Sequence, residues 1–140
     1  MAIYVEPVRW RERMEELAEE AERVFFERVL LGALYEMARV IITETPYRTG
    51  RARGNYDLAL NGESPGQGDF DENRFDDGTA TLRRIIDKAR TADGPYQLMW
   101  IYNLTPYVIW LDVGTSKMRA KGMSEKAITA GERFVRRATR

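Results

Sequence analysis

The sequence predicts an α+β domain, and three observations carry that reading. Residues Pro7 to Thr43 contain no internal proline and space their apolar residues as a helix does; two β-rich runs sit close together between Tyr96 and Val113; and the chain from Ser124 onward returns to helical spacing with a basic end. Helices and strands in that order, without a regular βαβ alternation, predict a small, mostly antiparallel sheet covered by helices. At 140 residues the chain reads as one domain, 1–140, long enough to bury a core without staples.

The first element is the longest. Trp10, Met14, Leu17, Ala21 and Val24 repeat at intervals of 4, 3, 4 and 3, one face of an amphipathic helix. Pro7 suits a first helical turn, and Glu12, Glu15, Glu16, Glu19, Glu20 and Glu22 favour the N-terminal half through the helix dipole. From Phe25 to Ile42 apolar residues cover most of the circumference, so that half must be buried on most sides. An unbroken helix of this length, roughly 55 Å at 1.5 Å per residue, would overhang a compact domain about 37 Å across. Two outcomes are therefore open: a kink near Gly32, or an acidic N-terminal half that projects and packs on another subunit.

Thr45-Pro46 ends the helix, because proline drives its predecessor out of the α region. Thr49 to Leu60 reads as a strand with a turn at Gly50 and a bulge or close approach at Gly54. Glu63 to Gly78, with three glycines, a proline and six acids, reads as a long acidic loop. Its Phe70 and Phe75 suggest a segment that orders on a partner, and as such it is expected to be dispensable for folding. Thr79 to Ala92 predicts a helix capped by Thr79 or Thr81, with Leu82, Ile85, Ile86 and Ala89 on one face. After a turn at Asp93-Gly94-Pro95, the runs Tyr96 to Asn103 and Tyr107 to Val113 predict a β-hairpin joined by Leu104-Thr105-Pro106. Gly114 to Gly122 is a basic loop, and Ser124 is placed to cap a final helix ending at Arg136, Arg137 and Arg140.

Composition narrows the chemistry. There is no histidine and no cysteine, which excludes imidazole bases, Ser-His-Asp triads, thiol nucleophiles, disulfides and His- or Cys-ligated zinc. Any metal would need oxygen ligands. Asp69, Asp71 and Asn73 resemble the start of a calcium loop, but the glycine at the sixth position and the glutamate at the twelfth are missing. Gly62 to Gly68 lacks the Gly-Lys-Ser/Thr ending of a P-loop. Asp112, inside an apolar run, reads as a structural hydrogen-bonding group rather than a catalytic acid. No cofactor is called for, and the chain is read as non-enzymatic. With no basic and apolar leader and no stretch near 20 apolar residues, it is also read as soluble, unexported by a signal peptide and away from membranes.

Charge is balanced overall, 22 basic against 22 acidic residues, but segregated along the chain. Met1 to Glu44 carries −4, Thr45 to Gly62 +2, Glu63 to Gly78 −5 and Thr79 to Arg140 +7. Such a chain suits self-association through opposite faces better than free-standing DNA binding. Trp100, Tyr102, Tyr107 and Trp110 interleave with the basic residues as a single-strand binder would require, but strand alternation is expected to bury at least half of them.

Two stretches carry a resemblance. Thr45-Pro46-Tyr47-Arg48-Thr49-Gly50-Arg51-Ala52-Arg53, directly after the long helix, resembles the T-P-x-D-T-G-R-L-R segment of bacteriophage neck and tail-completion (head-tail joining, minor tail) proteins. Tyr102 to Ser116, YNLTPYVIWLDVGTS, is similar to that family's N-x-x-P-Y-A-x-x-L-E-x-G-x-S, followed by Met118, Ala120, Gly122 and Met123. Arg48, Val108 and Asp112 depart from the usual aspartate, alanine and glutamate.

The resemblance implies a structural virion protein of a long-tailed double-stranded DNA phage, assembled in the host bacterial cytoplasm. It implies a ring, commonly hexameric, in the neck between capsid connector and tail. Its partners would be further copies of itself, the neighbouring head-connector and tail-tube or tail-terminator proteins, and double-stranded DNA passing without sequence readout. Expected assembly residues are Thr49, Gly50, Arg51 and Arg53 in the first motif, and Asp69, Phe70, Asp71, Glu72 and Phe75 in the acidic loop. The second motif and its basic extension add Asn103, Pro106, Tyr107, Asp112, Gly114, Ser116, Lys117, Arg119 and Lys121. The alternatives are a tail-terminator ring and, in another class, a DNA-binding accessory protein using the basic C-terminal face.

Overall fold

The computed structural model describes residues 7–60, 63, 71–92 and 99–140. Helix α1 (Pro7–Phe25) passes through one π-helical turn, Phe26–Leu30, into α2 (Leu31–Glu44). Backbone angles stay helical at both joints, φ/ψ −62°/−46° at Phe25 and −69°/−46° at Leu30, so the segment is one helix with a widened turn. The irregularity expected at Gly32 therefore lies just before it. Gly32 instead serves packing. A Cβ there would sit 2.2 Å from Phe134 Cζ, so its bare backbone admits the Phe134 ring of the last helix. A π-turn inserts one residue and shifts the phase of the helix. Phe26 and Val29 are buried at this point, whereas every residue from Arg11 to Phe25 is exposed.

Helix α2 stops at Thr45, whose extended backbone (φ −69°, ψ 124°) precedes Pro46 as anticipated. The next segment departs from the strand expected over 49–60. Arg51–Gly54 forms a short helical turn, α3, and the strand β1 covers Tyr56–Leu60 only. Gly50, at φ 82°, makes the turn, and its carbonyl accepts from Gly54 N at 2.8 Å and Asp76 N at 3.1 Å, which coils the backbone where even apolar spacing had suggested extension. Gly54 is no bulge, although it is a close approach, since a Cβ would come within 3.0 Å of the Arg74 carbonyl.

Helix α4 (Thr79–Ala89) lies where expected, but neither Thr79 nor Thr81 caps it. Asp76 does so from outside: its carboxylate accepts from Gly78 N at 3.1 Å, Thr81 N at 2.7 Å and Thr81 Oγ1 at 2.6 Å, while Asp77 accepts from Thr79 N at 2.9 Å. Residues 71–78 of the 63–78 stretch thus belong to the fold, starting α4 and holding α3, so deleting the whole stretch is expected to cost stability rather than leave the domain intact. The turn expected at 93–95 and the strand start at 96–98 lie outside the described residues.

Strand β2 (Met99–Asn103) pairs antiparallel with β1, in a register running from Tyr56 opposite Asn103 to Leu60 opposite Met99. The predicted hairpin does not form, because Val108–Val113 is a short helix, α5, and the described sheet is β1–β2 alone. Short hairpin loops need a residue at positive φ, and Leu104-Thr105-Pro106 offers none, positive φ being confined to glycines among the described residues. Instead Thr105 and Tyr107 carbonyls accept from Val108 N and Trp110 N, each at 3.1 Å, winding the chain into a helical turn.

Helix α6 (Met123–Ala138) lies antiparallel against α2: Lys126 meets Glu44 at 3.0 Å, Met37 lies against Gly131, and Phe134 covers Gly32. On the other side of α2, Leu34, Ala38 and Ile42 close a core with Tyr56 and Leu58 of β1 and Ile85 and Ala89 of α4. Arg84 ties α4 to β1 by donating to Tyr56 O at 2.6 Å and Gly54 O at 3.2 Å. Because α6 ends beside the π-turn, no α6 residue remains to cover α1.

Two outcomes test this packing. Gly32→Ala, which in an exposed helix would gain about 1 kcal/mol of propensity, is expected to lower stability by about 1–3 kcal/mol because the Phe134 ring must move, read from urea unfolding. Burial alone would raise the Asp76 pKa, but the hydrogen bonds from Thr81 and Gly78, with Asp77 beside it, outweigh burial and hold it at about 2. A folded pKa below the unfolded value of about 3.9 contributes stability above that pH and loses it as pH falls towards 2. Asp76→Ala should therefore flatten the acid limb of stability against pH and cost about 1–2 kcal/mol at neutral pH.

Candidate assembly surface

The two motif segments meet. Asn103 Nδ2 donates to Ala52 O at 2.7 Å, and Asn103 Oδ1 accepts from Thr105 N at 2.9 Å, so one side chain both joins the segments and turns the chain after β2. Arg53 clamps the end of α2: Nε donates to Thr45 O at 2.7 Å, and the two terminal nitrogens to Thr43 O at 3.0 Å and Asp77 O at 3.1 Å, with Tyr47 stacked 5.4 Å from its guanidinium. Thr45 Oγ1 donates to Ile41 O at 2.6 Å and accepts from the buried Tyr56 hydroxyl at 2.8 Å. Asn55 is held by Arg51 O and Asp71 O, and accepts in turn from Asp71 N at 3.1 Å. Arg51 lies over the exposed Phe75 ring at 5.3 Å.

In the second motif Asp112 is the structural hydrogen-bonding group that its apolar run suggests. Its carboxylate accepts from Ser124 N at 3.0 Å and Ser124 Oγ at 2.5 Å, so Ser124 is the capped residue of α6 rather than its cap. Lys121 N and Gly122 N donate to Leu111 O and Asp112 O at 2.9 and 3.1 Å, folding the basic loop back onto α5. Gly114, at φ 81°, lets that loop close, a Cβ there coming within 2.7 Å of Ala120 N.

The expected assembly residues thus divide by position. Gly50, Arg53, Asp71, Asn103, Asp112 and Gly114 hold the fold, and Arg51 is half-buried beside them. Thr49, Glu72, Phe75, Pro106, Tyr107, Ser116, Lys117, Arg119 and Lys121 are exposed. Asp69 and Phe70 lie outside the described residues.

The larger exposed surfaces are only partly legible in the sequence. Trp100, Tyr107 and Trp110 are all exposed and Tyr102 is half-buried, against the expectation that strand alternation would bury at least half of them. Ile109 and Val113 of α5 and Ile128 of α6 are exposed as well. The signal for α5 was the proline-tyrosine turn before it, hidden by the β-branched composition of YVIWLDV. On α1, Met14, Leu17, Val24 and Phe25 stand in solvent within an acidic helix. Lys117, Arg119 and Lys121 are exposed in the loop before α6 and Lys126 beside the end of α2, while Arg133, Arg136, Arg137 and Arg140 are exposed along the half of α6 that runs back to the π-turn. A cleft of 670 Å³ runs between α2 and α6, with Val40 and Ala130 in its lining and four basic residues, Arg39, Lys126, Arg133 and Arg137, alongside three acidic ones, Glu36, Glu44 and Glu125.

Among the described residues no group of three or more carboxylates is placed to hold a metal ion, and no helix is long and apolar enough to cross a membrane. No protein-family model, curated protein or solved structure matches the chain.

The Tyr56–Thr45 contact has an alkaline signature. Desolvation is the main reason that the Tyr56 hydroxyl is pushed up to about 12, and the Asp112 charge adds to the rise. A raised folded pKa gives stability that is complete below the unfolded value of about 10 and lost as pH climbs through the folded one. Stability should fall between about pH 10 and 12 in the native chain, and Tyr56→Phe should remove that limb while costing about 1 kcal/mol at neutral pH through the lost hydrogen bond.

Proposed function

We propose that this chain is a structural virion protein of a tailed bacteriophage, a neck or tail-completion subunit that forms a ring, six-fold by analogy, joining the capsid connector to the tail. DNA passes through that ring without sequence-specific contact, and the protein acts through shape and surface rather than through a reaction. Its place is the virion neck, after assembly in the host cytoplasm.

One observation carries the proposal. Residues that carry the resemblance lock the two segments together, Asn103 reaching Ala52 O, and cap α2 through Arg53, while Asp112, which stands where the family has glutamate, keeps a carboxylate that starts α6. Motif residues that make fold-building contacts, Gly50, Arg53, Asn103 and Gly114, support a shared architecture. A ring requires two different complementary faces on each subunit, and an exposed acidic helix with a separate row of exposed arginines on α6 supplies such a pair.

The test is genetic complementation in a phage that encodes the chain. Inactivating the gene should yield filled heads and tails of normal length that remain separate, and adding the purified protein should join them. Tails of abnormal length would assign the chain to the tail terminator instead, and normal infectious particles would refute both.

A further inference from the structure

We propose that α1 of one copy docks in the cleft between α2 and α6 of the next, a head-to-tail contact that leaves the same two surfaces free at the ends of any open chain of copies. Three features on different parts of the molecule point to this occupant.

The first is the seam on α1. Met14, Leu17, Ala21 and Val24 follow the 3-4 spacing that brings residues to one narrow stripe of a helix, the width that packs against other helices rather than into a broad core. The described part of this helix is exposed from Arg11 to Phe25, because α6 ends beside the π-turn and leaves no described element alongside it. A helix about 28 Å long, at 1.5 Å per residue, thereby continues from α2 with its described side chains from Arg11 to Phe25 in solvent.

The second is charge. Between Arg11 and Glu27 there are seven acidic and three basic residues, and helical geometry puts Glu16 and Glu20 on one side of the seam and Glu15 and Glu22 on the other. Along the cleft, Arg39 is engaged by Glu36 at 3.0 Å and Lys126 by Glu44 at 3.0 Å. Arg133 and Arg137 line the same cleft and make no ion pair among the described residues. An adjoining hollow of 280 Å³ adds Arg136 and Arg140 against one further carboxylate, Glu132. A strip of arginines that lack carboxylate partners among the described residues of their own subunit matches a helix whose carboxylates exceed its cations.

The third is the floor of the cleft. Val40 and Ala130 line the cleft among its charged residues, so a narrow apolar stripe has apolar atoms to meet while its flanking acids reach Arg133 and Arg137. Both requirements of an amphipathic helix in a groove are met by one surface. The contact is heterologous, because α1 and the cleft are different surfaces, and repetition of a heterologous contact produces a ring when the rotation closes. In that respect it rests on the ring reading, although the contact itself is measured on purified protein without a phage.

The experiment is a charge swap combined with a thiol cross-link. Sedimentation across a concentration series should show self-association of the native chain. Glu16→Lys/Glu20→Lys/Glu22→Lys and, separately, Arg133→Glu/Arg137→Glu should each weaken that association about tenfold or more, with circular dichroism unchanged, and the five substitutions together should restore it to within about threefold. The chain has no cysteine, so a short bis-maleimide should join copies of an Ala21→Cys/Ala130→Cys chain into a ladder and leave each single-cysteine chain uncoupled.

A native chain that stays monomeric at millimolar concentration would overturn the proposal, as would a five-fold variant no stronger than its parents. Efficient coupling of Ala21→Cys to itself would also do so, because it would place α1 against α1. If Arg133→Glu/Arg137→Glu lost affinity for duplex DNA while association stayed unchanged, the cleft would belong to phosphates. Failure of the contact leaves the neck assignment to stand on the complementation result, and a normal gene-deleted phage leaves the contact to stand on the swap.

Discussion

The last carbonyl groups of an α-helix have no intrahelical donor, and at the end of α2 their satisfaction organises the molecule. Thr43 and Thr45 carbonyls accept from Arg53, and the Ile41 carbonyl accepts from the Thr45 hydroxyl, which Tyr56 in turn contacts at the start of β1. Arg53 reaches those carbonyls only because Gly50 turns the chain and Arg51–Gly54 coils back. The same guanidinium contacts Asp77 O, which places the acidic stretch against the helix end and brings Asp76 to the N-terminus of α4. One helix terminus thereby sets the positions of β1, α4 and part of the acidic loop.

A second theme is capping from a distance. Both α4 and α6 begin after a glycine in the left-handed region, a residue without a side chain to cap with, and both take their cap from an aspartate elsewhere: Asp76 two residues before Gly78, and Asp112 in α5. Capping carboxylates suit the positive end of the helix dipole. Their use here means that part of the negative charge in the 63–78 stretch is consumed within the subunit. The charge left for contacts between copies is concentrated on α1.

The length mismatch between helices accounts for the shape of the exposed surface. Helix α6 covers α2 from Glu44 back to Gly32 and ends at Ala138, while the long helix continues through the π-turn into α1. The extra residue of the π-turn lets Phe26 and Val29 face inward at the edge of the domain, and beyond it every described side chain is exposed. The end of α6 leaves an acidic rod with an apolar seam exposed, and the packed part of the helix pair leaves a cleft with Arg133 and Arg137, unpaired among the described residues, in its lining.

Elements governed by local chemistry were legible in the sequence. The long helix, its stop at Thr45-Pro46, the span of α4, the strand content of Tyr56–Leu60 and Met99–Asn103, the basic loop and the final helix all follow from periodicity, proline and glycine, and so does the α+β class. What tertiary structure decided were the places where a distant partner outweighs local preference. The run from Tyr107 to Val113 has strand composition yet coils, because no residue of Leu104-Thr105-Pro106 supplies the positive φ of a tight hairpin and Asp112 must reach Ser124. Periodicity likewise located neither the π-turn nor the role of Gly32, the latter because it depends on Phe134 arriving from the other end of the chain. Among the assembly residues, sequence identified the two motifs and the segregation of charge; only the packed structure separated side chains such as Arg53, Asn103 and Asp112, whose polar groups the fold consumes, from the α1 glutamates and α6 arginines that it leaves facing outward.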